Sequence, residues 1–279
     1  MESSIKFSRY VVVTGGYGFI GSHVIRQLVK NHPDNLIINF DAGTYAAMPV
    51  NLIDIDGHYD NYACYRGDIT KPQDIEKLYD SLGGRIDDII HLAAESHVDK
   101  SIVSPGVFVN TNVIGTTNLL NAAREWWKED YNNHIFINMG TDEIFGALGP
   151  DDEPFDENSP INPHSPYSAS KASAVLMGKT YYEAYGLPVV TLCSSNAIGP
   201  NQYPEKLVPL TIDRLIHRQE IPIYGEGRQV RDWLYVEDIA RAIDILLCRG
   251  KAGEMFCIGG GESHQIDNYN RERYTCLHQ

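Results

Sequence analysis

Short runs of apolar residues alternate along this chain with longer amphipathic segments. The apolar runs have the length of buried strands and lie at 10–13, 36–40, 62–66, 88–92, 135–137 and 189–192. The amphipathic segments repeat their apolar positions at helical spacing and lie near 18–31, 71–81, 104–129 and 167–185. Because strands separated by helices of this length form βαβ units, the pattern predicts an α/β fold with a doubly wound parallel sheet.

The regular alternation ends after Leu192. A Pro- and Gly-rich run, a helix-like segment, a short strand and a further amphipathic helix follow at 199–204, 206–218, 221–224 and 236–247. We therefore expect two domains. The large one is predicted over 1–192, with 229–250 returning to it, and a smaller substrate-facing one over 193–228 and 251–279.

Composition narrows the possible partners. The 279 residues are 43% apolar, enough for a sizeable core, and carry a formal charge of −14 from 23 basic and 37 acidic side chains. Binding to nucleic acid or to acidic membranes needs clustered cations, so neither is expected. Five cysteines at 64, 193, 248, 257 and 276 show no paired metal spacing. With no apolar signal core at the start, we expect a cytoplasmic protein without a metal.

A glycine motif follows the first strand and opens the first helix. Gly15, Gly18 and Gly21 stand three apart, with Phe19 and Ile20 between the last two. Glycines at these positions allow a tight turn and close approach of the backbone to a pyrophosphate. Asp41 ends the second strand, where a carboxylate accepts from ribose hydroxyls and repels a 2′-phosphate. The motif predicts a dinucleotide site that prefers NAD to NADP.

The next two predicted strands also end in candidate ligand contacts. Ligands of doubly wound sheets bind at the carboxyl ends of strands, and the residues at these ends are Asp68, Ile69, Leu92, Ala93 and Ala94. Asp68 could accept from an adenine amino group. The alternative is that Asp68 caps the helix that begins near Lys71.

Tyr167 and Lys171 stand four apart at the start of a predicted helix, so both project from one face. A tyrosine that removes a hydroxyl proton near neutral pH needs its pKa lowered from about 10. The ammonium of Lys171 and a nicotinamide charge are expected to lower it. The alternative is an ordinary surface pair.

Thr141, Asp142 and Glu143 follow the fifth strand directly. Neighbouring carboxylates repel unless one is protonated, which allows one to act as an acid and the other as a base. A plain dehydrogenase would not need this pair. The alternative is a helix cap or a solvated turn.

Cations and their neighbours in the C-terminal third are candidates for binding a diphosphate. Lys206 lies between Glu205 and Leu207, and Arg231 lies in the segment 228–233. Arginine suits a diphosphate because of its fork of donors. In an acidic chain the alternative is that Lys206 and Arg231 are surface charges.

Seven segments together resemble the extended short-chain dehydrogenases/reductases of Rossmann fold, and within them the nucleoside-diphosphate-glucose 4,6-dehydratases. They are Thr14–Ser22, His91–Ser101, Thr111–Thr116, Thr141–Gly146, Ser165–Ala172, Tyr203–Pro209 and Arg231–Asp238. The Ala-Glu-Ser-His-Val-Asp run and the Thr-Asp-Glu triplet are the specific ones, because related epimerases and decarboxylases usually lack the Asp-Glu pair.

The resemblance implies a three-step reaction on one tightly held NAD. Tyr167, Thr141 and Lys171 would serve oxidation at carbon 4 of the sugar, while Glu143 and Asp142 would eliminate water across carbons 5 and 6. It adds Thr44, Thr111 and Asn196 to the expected NAD contacts. It implies substrate contacts at Ser96, Thr141, Asn196, Glu205, Lys206, Leu207, Pro222, Tyr224 and Arg231, and a homodimer formed through the helices near 104–129 and 167–185.

The chain departs from the family pattern in several places. Ala42 and Gly43 stand where lysine and leucine are usual, Gly140 replaces a serine, and Cys257 replaces an asparagine. Relatives also continue well beyond the 258–260 region, so we expect weakened nucleotide-sugar binding. Two other functions stay open: an epimerase or decarboxylase of the same fold, and an NAD-binding protein that has lost turnover.

Overall fold

The computed structural model describes residues 7–128, 130–149, 152–222, 229–261 and 263–265. Its main feature is a seven-stranded sheet in the order β3-β2-β1-β4-β5-β6-β9, in which every neighbouring pair is parallel. The strands are β1 (Arg9–Thr14), β2 (Asn35–Asp41), β3 (Tyr62–Arg66), β4 (Asp88–His91), β5 (Ile135–Thr141), β6 (Val189–Ser194) and β9 (Met255–Ile258). This confirms the predicted doubly wound parallel sheet.

Helices cover both faces of the sheet. They are α1 (Phe19–Asn31), α2 (Pro72–Ser81), α3 (Val98–Val103), α4 (Pro105–Phe108), α5 (Thr116–Trp127), α6 (Pro166–Tyr185), α7 (Leu207–Ile216) and α8 (Val236–Arg249). Successive residues of β1 point to opposite faces: Val11 packs with the cluster that includes α1 and α8, and Val12 packs with the cluster that includes α2 and α5. This two-sided burial explains why the strands are continuous apolar runs rather than alternating ones.

The position of β1 decides where a ligand can bind. β1 lies between β2 and β4, so the chain leaves β1 toward one edge of the sheet and later returns on the other side of it. The loops after β1 and β4 therefore diverge and leave a crevice at the carboxyl ends of these strands.

The predicted helix at 104–129 is instead three consecutive elements. Between α4 and α5 the backbone forms a π-helical segment, Val109–Gly115. The side chain of Asn112 is buried there, where its amide hydrogen-bonds both backbone groups of Glu95 and donates to the Ser170 hydroxyl across 2.8 Å. Periodicity alone does not reveal such an insertion, and π-segments often occur at functional sites.

A second, three-stranded sheet lies in the C-terminal third. It consists of β7 (Asn196–Ile198), β8 (Val230–Tyr235) and β10 (Ser263–Gln265), in the order β10-β8-β7. The predicted strand at 221–224 is not observed at 221–222, and 223–224 lie outside the described residues.

The strand pairing differs from the predicted domain limits at two places. β8 lies within 229–250 but pairs in the small sheet, whereas β9 lies within 251–279 but pairs with β6 in the large sheet. Local patterns could not reveal either, because strand pairing is non-local. The two-domain division itself stays a prediction. Across the described residues, every helix falls short of what a bilayer span requires.

Candidate active site

One cavity of about 560 Å³ opens at the carboxyl ends of the central strands. Every predicted site residue that the structure describes lines it, and Tyr224 lies outside the described residues. These lining residues are Gly15, Gly18, Phe19, Ile20, Gly21, Asp41, Thr44, Asp68, Ile69, Leu92, Ala93, Ala94, Ser96, Thr111, Thr141, Asp142, Glu143, Tyr167, Lys171, Asn196, Glu205, Lys206, Leu207, Pro222 and Arg231.

The glycine motif forms a cradle at the start of α1. Gly15 has a φ of +73°, and the N–H of Gly18 donates to its carbonyl across 3.1 Å. A Cβ at Gly21 would lie 2.2 Å from that same carbonyl oxygen, so the turn closes only around glycine. No side chain caps the N-terminus of α1, which leaves its first N–H groups directed at the cavity for an anion.

Asp41 is held rigidly at the end of β2. Its Oδ2 accepts from the N–H of Tyr17 across 3.0 Å, and its Oδ1 accepts from the N–H of Gly43 across 2.8 Å. Gly43 has a φ of +68°, a left-handed conformation that suits glycine better than the lysine or leucine usual nearby. The carboxylate therefore faces the cavity in one fixed orientation, as recognition of ribose hydroxyls requires.

Asp68 lines the cavity and also stabilises its own turn. Its Oδ1 accepts from the N–H of Thr70 across 2.9 Å and from the Thr70 hydroxyl across 2.8 Å. Lys71, rather than Asp68, is the residue at the N-cap of α2. Asp68 thus stabilises the loop before α2. Its second carboxylate oxygen, Oδ2, lies 3.8 Å from Nζ of Lys71.

The Thr-Asp-Glu triplet forms a tight corner after β5. Thr141 ends the strand, and a single 3₁₀ turn, Asp142–Ile144, follows. The Thr141 hydroxyl donates to Asp142 Oδ1 across 3.2 Å and accepts from the N–H of Glu143 across 3.3 Å. The corner holds both carboxylates at one end of the cavity.

Burial dominates the electrostatics of these carboxylates. It raises the pKa of Asp142, and the Thr141 hydrogen bond and the charge of Arg231 partly oppose the rise. Burial and then the charge of Asp142 raise the pKa of Glu143, opposed by Lys206 and Arg231. Two carboxyl groups that resist ionisation are suited to exchanging protons with a bound molecule.

Tyr167 and Lys171 lie on the buried face of α6, next to this corner. The helix begins with a capping box between Ser165 and Ser168. Tyr167 is 8% exposed and Lys171 is 5% exposed, so the alternative of a surface pair is wrong. Lys171 Nζ donates to the carbonyl of Met139 across 2.6 Å, and burial lowers its pKa to about 8.

The pKa of Tyr167 differs from the expectation. Burial, followed by the charge of Glu143, raises it above the ordinary tyrosine value, whereas we expected Lys171 to lower it. The reason is geometric, because the ammonium of Lys171 is directed at Met139. The Thr141 hydroxyl is the neighbour that lowers the pKa of Tyr167.

Two cations lie across the cavity from these acids. Lys206 Nζ donates to the carbonyl of Ser96 across 2.7 Å, which ties the segment before α7 to the loop after β4. Burial lowers the pKa of Lys206, and the charges of Glu205 and Glu143 oppose the change. Arg231 also lines the cavity, and its Nη1 donates to the carbonyl of Val230. Lys206 is therefore not an isolated surface charge, whereas Arg231 is an exposed residue of the cavity wall.

A buried polar chain that the sequence did not predict lies behind the half of the cavity that is built on β1, β2 and β4. The Thr14 hydroxyl oxygen accepts from the N–H groups of Leu92 and Ala93, both at 3.1 Å, and contacts His91 Nδ1 at 2.8 Å. His91 Nε2 contacts the Thr116 hydroxyl at 2.9 Å, and burial lowers the pKa of His91 to about 3. A neutral histidine thus fixes the loop that carries Ala93. Nothing in the local pattern marks this contact.

Two buried side-chain atoms in the cavity wall have no protein partner among the described residues. They are Ser195 Oγ and Gln202 Oε1, and both residues line the cavity. Buried polar atoms are nearly always hydrogen-bonded, so these two indicate a ligand surface. With the glycine cradle and the fixed Asp41, the wall fits a dinucleotide.

Gly140 explains one departure from the family pattern. A Cβ at this position would lie 2.5 Å from Cys193 Sγ, so Gly140 and Cys193 fit only as a pair. The four described cysteines are all free thiols.

One cluster of metal-ligand type lies outside the cavity lining. Atoms of His32, Asp244 and Cys248 lie within 4.8 Å of one another. Asp244 already accepts from His32, Gln27 and Asn31, so its carboxylate is satisfied by the protein.

A doubly wound sheet whose glycine cradle, fixed carboxylate and buried Tyr-Lys pair share one cavity defines an extended short-chain dehydrogenase/reductase. The model of the family described as GDP-mannose 4,6 dehydratase matches residues 12–278. The dTDP-glucose 4,6-dehydratase of Neisseria meningitidis is 43% identical over 256 residues, which are 90% of this chain and 71% of that protein. The dTDP-glucose 4,6-dehydratase of Salmonella typhimurium is 42% identical over 270 residues, which are 92% of this chain and 74% of that protein.

Solved structures agree with these relatives. The structure of dTDP-glucose 4,6-dehydratase from Bacillus anthracis in complex with NAD superimposes with a TM-score of 0.86 at 36% identity, covering 98% of this chain and 82% of that chain. A UDP-glucose 4-epimerase from Thermus thermophilus, also with NAD, has a TM-score of 0.83 at 26% identity, covering 94% and 81%. The chain therefore belongs to the nucleoside-diphosphate-sugar 4,6-dehydratase family.

Proposed function

We propose that this protein is a hydro-lyase that converts dTDP-glucose, with NAD as its cofactor, into the 4-keto-6-deoxy sugar nucleotide. The observation that carries the proposal is the shared corner of Thr141, Asp142 and Glu143 beside Tyr167 in one cavity. An oxidation needs only the tyrosine and its hydroxyl partner. The two partly buried carboxyl groups add the acid and the base that elimination of water requires.

The cofactor would occupy the half of the cavity built on β1, β2 and β4. The cradle of Gly15, Gly18 and Gly21 would receive its pyrophosphate, and Asp41 would accept from its adenosine ribose. When bound, NAD supplies the acceptor for a hydride from carbon 4 of the sugar and the donor of a hydride to carbon 6. The fixed carboxylate of Asp41 would exclude the 2′-phosphate of NADP by charge repulsion.

Tyr167 would take the proton of the 4-hydroxyl in the first step. The phenol must first be ionised, and its pKa is raised in this structure by burial and by Glu143. A positively charged ligand beside the ring would oppose that rise. Thr141 would hold the oxygen of carbon 4 by a hydrogen bond during the oxidation. The products of this step are the 4-ketone, the hydride on the cofactor and the proton on Tyr167.

Glu143 and Asp142 would carry out the elimination. The ketone acidifies the hydrogen on carbon 5, Glu143 removes it, and Asp142 protonates the 6-hydroxyl as it leaves as water. Hydride then returns to carbon 6 and a proton returns to carbon 5. The raised pKa of Asp142 suits it to donate a proton, and the cations Lys206 and Arg231 favour the ionised form of Glu143.

The proposed substrate nucleotide rests on the cations of the cavity wall and on the names of the relatives. Lys206 and Arg231 would bind the diphosphate, with Asn196, Leu207 and Pro222 nearby in the same wall. The two relatives compared above are named as enzymes of dTDP-glucose, which favours thymidine over uridine.

We also propose a homodimer. Large apolar side chains are exposed on the helices expected at its interface, including Val107 and Val109 beside the π-segment and Leu176 on α6. Light scattering of the wild type and of Leu176→Glu tests this proposal. We expect a dimer for the wild type and a monomer for the variant, and a monomeric wild type would contradict the proposal.

Mass spectrometry tests the proposed activity. The purified protein is incubated separately with dTDP-glucose and UDP-glucose, with and without added NAD. We expect loss of one water from dTDP-glucose. Isomerisation at unchanged mass, detected by NMR of the same reaction mixture, would instead indicate an epimerase. Binding of NAD without any conversion would indicate a protein that has lost turnover.

A further inference from the structure

Three side chains from distant parts of the chain meet at the rim of the cavity, and we call them the clasp: Tyr45, Lys100 and Glu205. The Tyr45 hydroxyl donates to Glu205 Oε1 across 3.2 Å, and Lys100 Nζ donates to Glu205 Oε2 across 2.9 Å. The ammonium of Lys100 also lies 3.6 Å from the centroid of the Tyr45 ring. Each clasp residue thus contacts both of the others.

The clasp joins two walls of the cavity. Thr44 and Ala46, on either side of Tyr45, line the cofactor half next to Asp41. Glu205 lines the opposite wall and immediately precedes Lys206, which is itself bound to the carbonyl of Ser96. The clasp therefore connects the loop after β2, which would hold the adenosine end, to the segment before α7, which would hold the sugar nucleotide.

Several features make the clasp stronger than an ordinary surface ion pair. The Glu205 side chain is only 14% exposed, whereas that of Lys100 is 49% exposed. Both carboxylate oxygens of Glu205 are used, one by each partner. Tyr203 packs edge-on against the Tyr45 ring at 5.7 Å between centroids, which fixes the ring beneath the ammonium. A cation over an aromatic ring adds to the ion pair.

We propose that the clasp retains the cofactor during turnover. The inference rests on the proposed function, in which the hydride taken from carbon 4 must return to carbon 6 of the same molecule. Loss of the reduced cofactor between these steps would leave the ketone intermediate without the hydride that completes the reaction. A contact between the walls that closes the rim over the cofactor prevents that loss. Tyr45 and Lys100 are positioning residues here, since neither lines the cavity.

The test is the dissociation rate of NADH from the holoenzyme, chased with excess NAD in the absence of any sugar. Lys100→Met removes the cation from both partners, and we expect roughly tenfold faster dissociation. Lys100→Arg keeps the charge and should restore a rate within about twofold of the wild type. Lys251→Met is the matched control, because Lys251 forms an exposed pair with Glu254 at 3.9 Å and lies outside the cavity lining.

Salt gives a second readout that a merely structural role would not change. Screening weakens exposed ion pairs, so NADH dissociation from the wild type should accelerate with salt more than dissociation from Lys100→Met. If Lys100→Met fails to fold, Tyr45→Phe removes the hydroxyl contact while keeping the ring. We expect about threefold faster dissociation from it, the effect of one hydrogen bond.

The outcomes separate the two proposals. Unchanged NADH dissociation in folded Lys100→Met and Tyr45→Phe overturns the clasp, whatever the activity of the protein. Faster dissociation from these variants, together with release of NADH during turnover with dTDP-glucose, supports it. A third outcome is that NADH dissociates faster from the variants but the wild type does not dehydrate dTDP-glucose. This result overturns the proposed function and, with it, the stated purpose of the clasp.

Discussion

The hydroxyl of Thr141 donates to the carboxylate of Asp142 across 3.2 Å, and this contact fixes the acid beside the residue expected to hold the oxygen of carbon 4. A hydrogen bond between consecutive side chains at the end of a strand leaves Asp142 with little freedom. Under the proposed function, the sugar would lie across this corner, with carbon 4 near Thr141 and carbon 6 near Asp142.

Asp142→Asn should separate oxidation from elimination. The amide keeps the shape and accepts the Thr141 hydrogen bond, but it cannot protonate a leaving hydroxyl. We expect water loss to fall by about two to four orders of magnitude, while the first oxidation persists and the absorbance of reduced cofactor accumulates on mixing with substrate.

The control is the variant Asp152→Asn. The carboxylate of Asp152 accepts from the N–H of Gly149 in an exposed turn. The variant should dehydrate at the wild-type rate. Full dehydration by Asp142→Asn would show that Asp142 is not the acid.

Tyr167→Phe should abolish the first step. Without the phenol nothing takes the proton of the 4-hydroxyl, so we expect activity to fall by about two to four orders of magnitude. Stopped-flow absorbance should show no reduced cofactor, in contrast to Asp142→Asn. The matched control is Tyr181→Phe in the same helix, whose hydroxyl donates to Asn121 across 2.7 Å. Rapid cofactor reduction in Tyr167→Phe would contradict the assignment of Tyr167 as the base.

Gly21→Ala should prevent cofactor binding. The added Cβ would lie 2.2 Å from the carbonyl oxygen of Gly15, which must move and open the cradle. Calorimetric titration of NAD should show binding at least tenfold weaker, with a lower melting temperature. Gly106→Ala is the control, because a Cβ there meets nothing within 4 Å. Normal NAD affinity in Gly21→Ala would place the pyrophosphate elsewhere.

The partly buried acids Asp142 and Glu143 should destabilise the fold at neutral pH. Burial raises the pKa of both Asp142 and Glu143. A carboxyl group with a raised folded-state pKa binds its proton more tightly when folded, so its contribution favours folding at low pH and is lost as the pH rises through that pKa. Replacing either acid by its amide should therefore raise the free energy of unfolding at pH 7 by about 1 kcal/mol.

The pH dependence of that difference is the critical measurement. Below about pH 3 the wild-type carboxyl groups are protonated in both states, so the amide variants should then match the wild type. Denaturant unfolding at several pH values provides the comparison. A Glu143→Gln variant that is less stable than the wild type at pH 7 would contradict the expectation that the ionised carboxylate destabilises the folded state.

The residues of the site were predictable because strand ends and helix starts are local features. Gly15 follows a strand, and Asp41 and Thr141 end strands, that apolar runs reveal. Parallel strands bring such ends to one edge of the sheet. The positions of Tyr167 and Lys171 followed from helical spacing alone. Their electrostatics did not, because the direction of the Lys171 side chain toward Met139 depends on packing.

What the sequence could not reveal depends on pairs that are distant along the chain. β9 joins the large sheet beside β6, although more than fifty residues separate Ser194 from Met255. Tyr45 and Glu205 are 160 residues apart, and neither carries a local motif that predicts the other. The same holds for Thr14 and His91, whose contact only the strand order creates.

The central claim is that one bound cofactor carries hydride from carbon 4 to carbon 6 while water is lost between the two transfers. dTDP-glucose labelled with deuterium at carbon 4 tests it in a single incubation, with the product examined by NMR and mass spectrometry. We predict a product that has lost one water and carries the deuterium at carbon 6. A nucleotide sugar of unchanged composition, with deuterium still at carbon 4 but with the configuration of that carbon inverted, would contradict the account and indicate an epimerase.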